Sequence, residues 1–196
     1  MTGKSNFRNY ERWGFLNQNE TTFAHLLKSH GYSTCIAGKW QLKGDAYAPY
    51  KAGFDEYLLW QITFTSYNER YKNPRVLENG QMKKYTQGEY GPELFTDYIK
   101  GFMERNRDQP FLVYYPMILT HCPFEPTPDS PDWNPASPGS KTYKGRVRYF
   151  GDMVMLDKVK MLIQWVEAPQ PANVNSPTNP PASYWKRMWE IWNEIK

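Results

Sequence analysis

Phe23, Leu26, Leu27 and His30 recur at i, i+3, i+4 and i+7, and Gly31 follows them. That spacing predicts a short amphipathic helix, with Asn19 or Thr21 as its N-cap and Gly31 as its stop. Ser33 to Ala37 then reads as a short buried strand running into Gly38-Lys39. Phe54 to Trp60, after Gly53, is a second strand candidate. Residues 66–90 are polar, Tyr-rich and punctuated by glycine, which predicts irregular or hairpin-like chain. Pro92 suits a helix N1 position, and Phe95, Tyr98, Ile99, Phe102 and Met103 form one apolar stripe ending near Asn106. Phe111 to Tyr115 is a continuous apolar run between prolines, the pattern of a strand buried on both faces of a parallel sheet. Tyr149, Met153, Leu156, Val159 and Ile163 predict another helix. Helices and strands that alternate in this way predict an α/β sandwich. In such sheets the active site lies beyond the C-terminal ends of the strands. Two segments fall there: Gly38-Lys39-Trp40-Gln41-Leu42, and Met117 to Phe124 with His121 at its centre.

Composition narrows the class. The chain has 196 residues, enough to bury a core within one domain. With 8 Trp, 15 Tyr and 10 Phe and a net charge of only +4, wholesale disorder is excluded. The whole excess lies in residues 1–51, with seven basic side chains against three acids. Such a mild local excess suits an anionic ligand, but it is too sparse for nucleic acid. No apolar run reaches the ~20 residues of a membrane span, so a membrane partner is not expected. The start, Met1-Thr-Gly-Lys-Ser-Asn, lacks the apolar stretch of a signal peptide, and the compartment is not readable. Two cysteines are too few for a disulfide scaffold or a four-cysteine zinc module.

Lys39 follows a strand and a glycine. The glycine permits close backbone approach, and the ammonium offers a point charge to an oxyanion such as sulfate or phosphate. His121, beyond the apolar run, is a candidate proton donor or ester-oxygen ligand. His25 and His30 lie on or beside a helix and read as structural. Cys35 falls within a predicted strand and reads as a core cysteine. Cys122 adjoins His121, but adjacent side chains usually diverge, which argues against a Cys/His pair.

Together these segments resemble the sulfatases (arylsulfatase-like) of the alkaline-phosphatase superfamily. The stretches that carry the resemblance are Met-Thr-Gly-Lys (1–4), residues 22–34, Ile36-Ala-Gly-Lys-Trp-Gln-Leu42, Gly53-Phe-Asp-Glu-Tyr57, Pro110 to Pro116 with Thr120-His-Cys-Pro123, and Tyr149 to Asp157. The resemblance implies an incomplete alkaline-phosphatase-like sandwich with a mostly parallel central sheet flanked by helices. It implies hydrolysis of sulfuric esters by a formylglycine made within Cys/Ser-x-Pro/Ala-x-Arg, with calcium neutralising the sulfate oxygens. It assigns Lys39 to sulfate binding and His121 to the leaving oxygen, with a sulfated small molecule or carbohydrate as partner. Gln41 stands where the family usually has histidine; it can donate to an oxyanion but cannot shuttle a proton.

The nucleophile motif and the expected Asp and Asn calcium ligands are not found in the sequence, so metal ligands are assigned to none of its residues. The expectation is a catalytically inactive fragment of a sulfatase. Two alternatives stand beside it: a phosphoester or phosphonate hydrolase of the same superfamily, and a non-catalytic anion-binding or interaction pseudoenzyme. The expected organisation is a partial catalytic domain over 1–163, a Pro-rich linker over 164–182, and an amphipathic Trp-rich helix over 183–196. Trp185, Met188, Trp189, Trp192 and Ile195 line one face of that helix. The face is a candidate for packing on a partner, on a membrane surface or on its own domain.

Overall fold

The structure, a computed structural model, describes residues 1–4, 14–60, 69–139 and 147–156. The elements are α1 (Phe23–Lys28), β1 (Ser33–Lys39), α2 (Ala48–Lys51), β2 (Glu56–Trp60), β3 (Arg75–Glu78), β4 (Gln81–Lys84), α3 (Gly91–Arg105) and β5 (Phe111–Tyr114). Residues 149–156 are also helical; the rest of that predicted helix, the linker and the Trp-rich tail lie outside the described residues.

One sheet runs in the order β4-β3-β2-β1-β5. Its centre is parallel: β1 pairs with β2 and with β5 in the same direction. β3 and β4 are the hairpin anticipated within 66–90, and they extend the sheet antiparallel from β2. Side chains alternate strictly across the two central strands. Ala37, Leu58 and Trp60 enter one core with Phe95 and Ile99 of α3. Ile36, Tyr57 and Leu59 enter the other with Ala24 of α1, Ala48 of α2 and Phe54. Both faces of β1 and β2 are thus covered, as expected where crossovers lie on both sides of a parallel sheet.

Three expectations are corrected. The cap of α1 is Thr22, not Asn19 or Thr21: its hydroxyl accepts from the His25 amide at 3.3 Å, and His25 Nδ1 accepts from the Thr22 amide at 3.1 Å. This is a capping box with histidine in the usual Glu/Gln place. The apolar stripe of α1 is narrower than its spacing implies. Ala24 is buried, whereas Leu26 is 57% exposed and His30 turns outward to its own turn. β5 is not buried on both faces; it is the edge of the described sheet, half-buried, with Tyr114 37% exposed.

Candidate functional site

The C-terminal ends of the three parallel strands converge on one place. Lys39 ends β1 and lies in register with Trp60, which ends β2. The Lys39 amide donates to the Pro116 carbonyl at 2.8 Å, and the Trp40 amide to the Trp60 carbonyl at 3.1 Å. Gly38 makes this seam possible. Its φ is +119°, and a Cβ there would lie under 3.0 Å from the Pro116 carbonyl oxygen. Only glycine fits a backbone approach of that kind. Gln41 follows at φ +53°, a left-handed conformation that a non-glycine residue adopts at some cost.

The segment after β5 brings His121 to the same end. Its amide donates to the Ile118 carbonyl at 3.3 Å, and the buried Tyr71 hydroxyl is shared between the Ile118 and His121 carbonyls. Arg70, the residue before Tyr71, is 6% exposed and stacks over Trp60 with its guanidinium carbon 4.3 Å from the ring centroid. Its NH1 lies 3.0 Å from His121 Nδ1. Cys122 Sγ lies 3.6 Å from that same nitrogen, so the expected divergence of the two side chains is not observed. The Leu119–Thr120 and Cys122–Pro123 peptides of this segment are cis.

The electrostatics favour an anion. Burial lowers the pKa of the Lys39 ammonium, the neighbouring Arg70 charge lowers it further, and Cys122 acts in the opposite direction. Among the described residues no acid pairs with Lys39. A partly desolvated ammonium that feels a second positive charge is stabilised by an oxyanion beside it. Arg70 was not recognisable from the sequence: it sits in a polar Tyr-rich stretch, and its partner His121 lies 51 residues away along the chain.

The groups implied for a complete reaction centre do not fit these residues. Among the described residues no three His, Cys, Asp or Glu side chains gather into a group that could hold a metal ion. Cys35 lies fully buried within β1, where burial pushes its thiol far up. It is packed and inert, as the sequence reading holds, and cannot serve as an exposed nucleophile.

Comparison with known proteins follows the same lines. The family model described as Sulfatase matches residues 1–171. An N-acetylglucosamine-6-O-sulfatase of Bacteroides thetaiotaomicron is 29% identical over 132 residues, covering 65% of this chain and 22% of that protein. Human arylsulfatase D is 36% identical over 83 residues, covering 38% of this chain and 14% of that protein. The chain therefore spans about a fifth or less of the curated relatives it matches. The solved structure of BT4656 in complex with its substrate, D-glucosamine-2-N,6-O-disulfate, superposes with a TM-score of 0.51 at 27% identity, over 65% of this chain and 24% of that one. Ps i-CgsB shares the fold at a TM-score of 0.55 and 20% identity, over 82% of this chain and 43% of that one. Among the described residues no helix is long and apolar enough to cross a membrane.

Proposed function

The chain belongs to the sulfatase family, and from that premise we propose that it carries the sulfate-binding side of a sulfuric ester hydrolase acting on sulfated carbohydrate. The observation that supports this best is the convergence of Lys39, Arg70 and His121 at the C-terminal ends of parallel strands. Lys39 supplies a point charge to the sulfate oxygens. Gln41 adds a hydrogen-bond donor from a loop set by its left-handed backbone. His121 stands at the leaving oxygen as a donor. Cationic and N–H donors of this kind stabilise charge that develops as the ester bond breaks, usually the largest contribution to catalysis. The carbohydrate class rests on relatives of this chain, one named an N-acetylglucosamine-6-O-sulfatase and one solved with a disulfated glucosamine.

Calcium and formylglycine would provide charge neutralisation and the nucleophile in a complete site. The 196-residue sequence holds no Cys/Ser-x-Pro/Ala-x-Arg motif, and no step is assigned here to either group. By itself the chain binds a sulfate ester without turning it over. The test is an NMR titration with D-glucosamine 6-O-sulfate, with unsulfated glucosamine and the 6-phosphate as comparisons, alongside an aryl sulfate turnover assay. The sulfate ester should bind, and Lys39→Ala should weaken it about tenfold, the loss of roughly 1.4 kcal/mol. Equal binding by Lys39→Ala contradicts the site. Preference for the 6-phosphate favours a phosphoester enzyme instead. Aryl sulfate turnover above a Lys39→Ala control contradicts the binding-only reading.

A further inference from the structure

Three groups approach a single nitrogen of His121. Arg70 NH1 lies 3.0 Å from Nδ1, the Cys122 carbonyl oxygen 2.7 Å, and Cys122 Sγ 3.6 Å. A guanidinium has only donors and a carbonyl only an acceptor, so Nδ1 cannot satisfy both. If Nδ1 carries the proton it serves the carbonyl and meets the guanidinium hydrogens head on. If Nδ1 keeps its lone pair it accepts from Arg70, the thiol can add a weak second donation, and the Cys122 carbonyl is the group left facing a lone pair.

The second arrangement is favoured on two counts. A hydrogen bond from an ionised donor is roughly twice as strong as a neutral one. Arg70 is also nearly buried and fixed by its stack on Trp60, so its donors point where the fold holds them. The next residue, Tyr71, grips the backbone of the same turn through the Ile118 and His121 carbonyls. One dipeptide therefore anchors both the ring and the main chain of His121.

We propose that Arg70 is a positioning residue for His121, donating to Nδ1 and thereby holding the ring proton on Nε2. This deepens the sulfatase reading and rests on it for the significance of His121. With Nδ1 committed to Arg70, Nε2 is the donor nitrogen. His121 then meets the leaving oxygen as a neutral N–H donor, in the manner of an oxyanion-hole group. Sulfatase-type use of His121 in this chain depends on a residue that touches no substrate atom in this assignment.

The tautomer can be read directly. Two-bond proton–nitrogen correlations on the uniformly ¹⁵N-labelled full chain, above the pH at which its imidazoles titrate, report the protonated nitrogen of each ring. Only His25, His30 and His121 contribute, and a His121→Gln sample assigns the third. The expected result is Nε2–H for His121 in the unmodified chain. Arg70→Leu should move the proton to Nδ1, where it can donate to the Cys122 carbonyl, and Arg70→Lys should retain Nε2–H. An Nδ1–H pattern in the unmodified chain overturns the proposal without any variant. An unchanged Nε2–H pattern in a folded Arg70→Leu chain, judged by unmoved His25 signals, overturns it as well. Inorganic sulfate added to the same unmodified sample tests the anion site separately. No response at Lys39 or His121 would overturn that reading while the tautomer result stands on its own.

Discussion

Gly38→Ala perturbs the seam on which the site is built. Two costs combine. A side chain must be held at φ +119°, a strain of about 1–3 kcal/mol. The new Cβ also lies under 3.0 Å from the Pro116 carbonyl oxygen, a backbone atom that cannot swing aside. Moving that carbonyl sacrifices the 2.8 Å bond from the Lys39 amide, worth about 0.5–1.5 kcal/mol. The expected destabilisation is about 2–4 kcal/mol. With a urea m-value of roughly 2 kcal/mol/M, the midpoint falls by about 1–2 M. Gly31→Ala is the control: its φ is +83° but nothing lies within 4 Å of the added Cβ, so only the strain remains. Equilibrium urea unfolding followed by tryptophan fluorescence measures both. Gly38→Ala within about 0.5 kcal/mol of the parent, or no worse than Gly31→Ala, would refute the reasoning. In variants that still fold, sulfate binding should weaken too, because the same shift moves Lys39 and the start of the segment leading to His121.

Thr34→Val should cost about 1–3 kcal/mol despite its matched shape. The fully buried Thr34 hydroxyl, 2.8 Å from the Gly53 carbonyl and 2.9 Å from Asp55 Oδ2, would be lost; a variant as stable as the parent contradicts this. The Asp55 carboxyl is pushed up by burial but held below the usual carboxylate range by Lys28 and by the Thr34 amide and hydroxyl. A carboxyl depressed on folding contributes stability above its unfolded pKa and loses it as pH falls through its folded one. Asp55→Asn should therefore flatten the acid side of a plot of urea midpoint against pH; an unchanged slope argues against it. Sulfate affinity should decline with rising pH before the ordinary lysine value of 10.5, because burial and Arg70 lower the Lys39 pKa and only the ammonium binds the anion. Lys39→Arg, which stays charged, should remove that decline, and an identical decline would assign it elsewhere.

The local grammar of the chain was readable where a single element decides the outcome. The strand into Gly38-Lys39 and the helix Gly91–Arg105 follow from spacing and punctuation alone. β5 was misplaced for a physical reason. Its run of apolar residues matches that of β2, and only the strand order distinguishes an edge from a centre. Strand order depends on pairing between distant segments. The cap of α1 slipped because histidine completes the box in place of glutamate. Lys39 and His121 were legible through family-like motifs, and the structure brings both to one end of the sheet. Arg70 was not, since its stack on Trp60 and its contact with His121, 51 residues away, exist only after folding. The approach of Cys122 to His121 depends on the path of the backbone through 118–123, which side-chain spacing does not encode.

Whether Lys39 and His121 form an anion site is decided by where a bound oxyanion sits. Selenate has the shape and charge of sulfate and scatters anomalously, so a crystal of the full chain grown with it marks the anion's position. An anomalous peak is expected within hydrogen-bonding distance of Lys39 Nζ, with His121 on its border. A well-occupied peak elsewhere, with none beside Lys39, would contradict it.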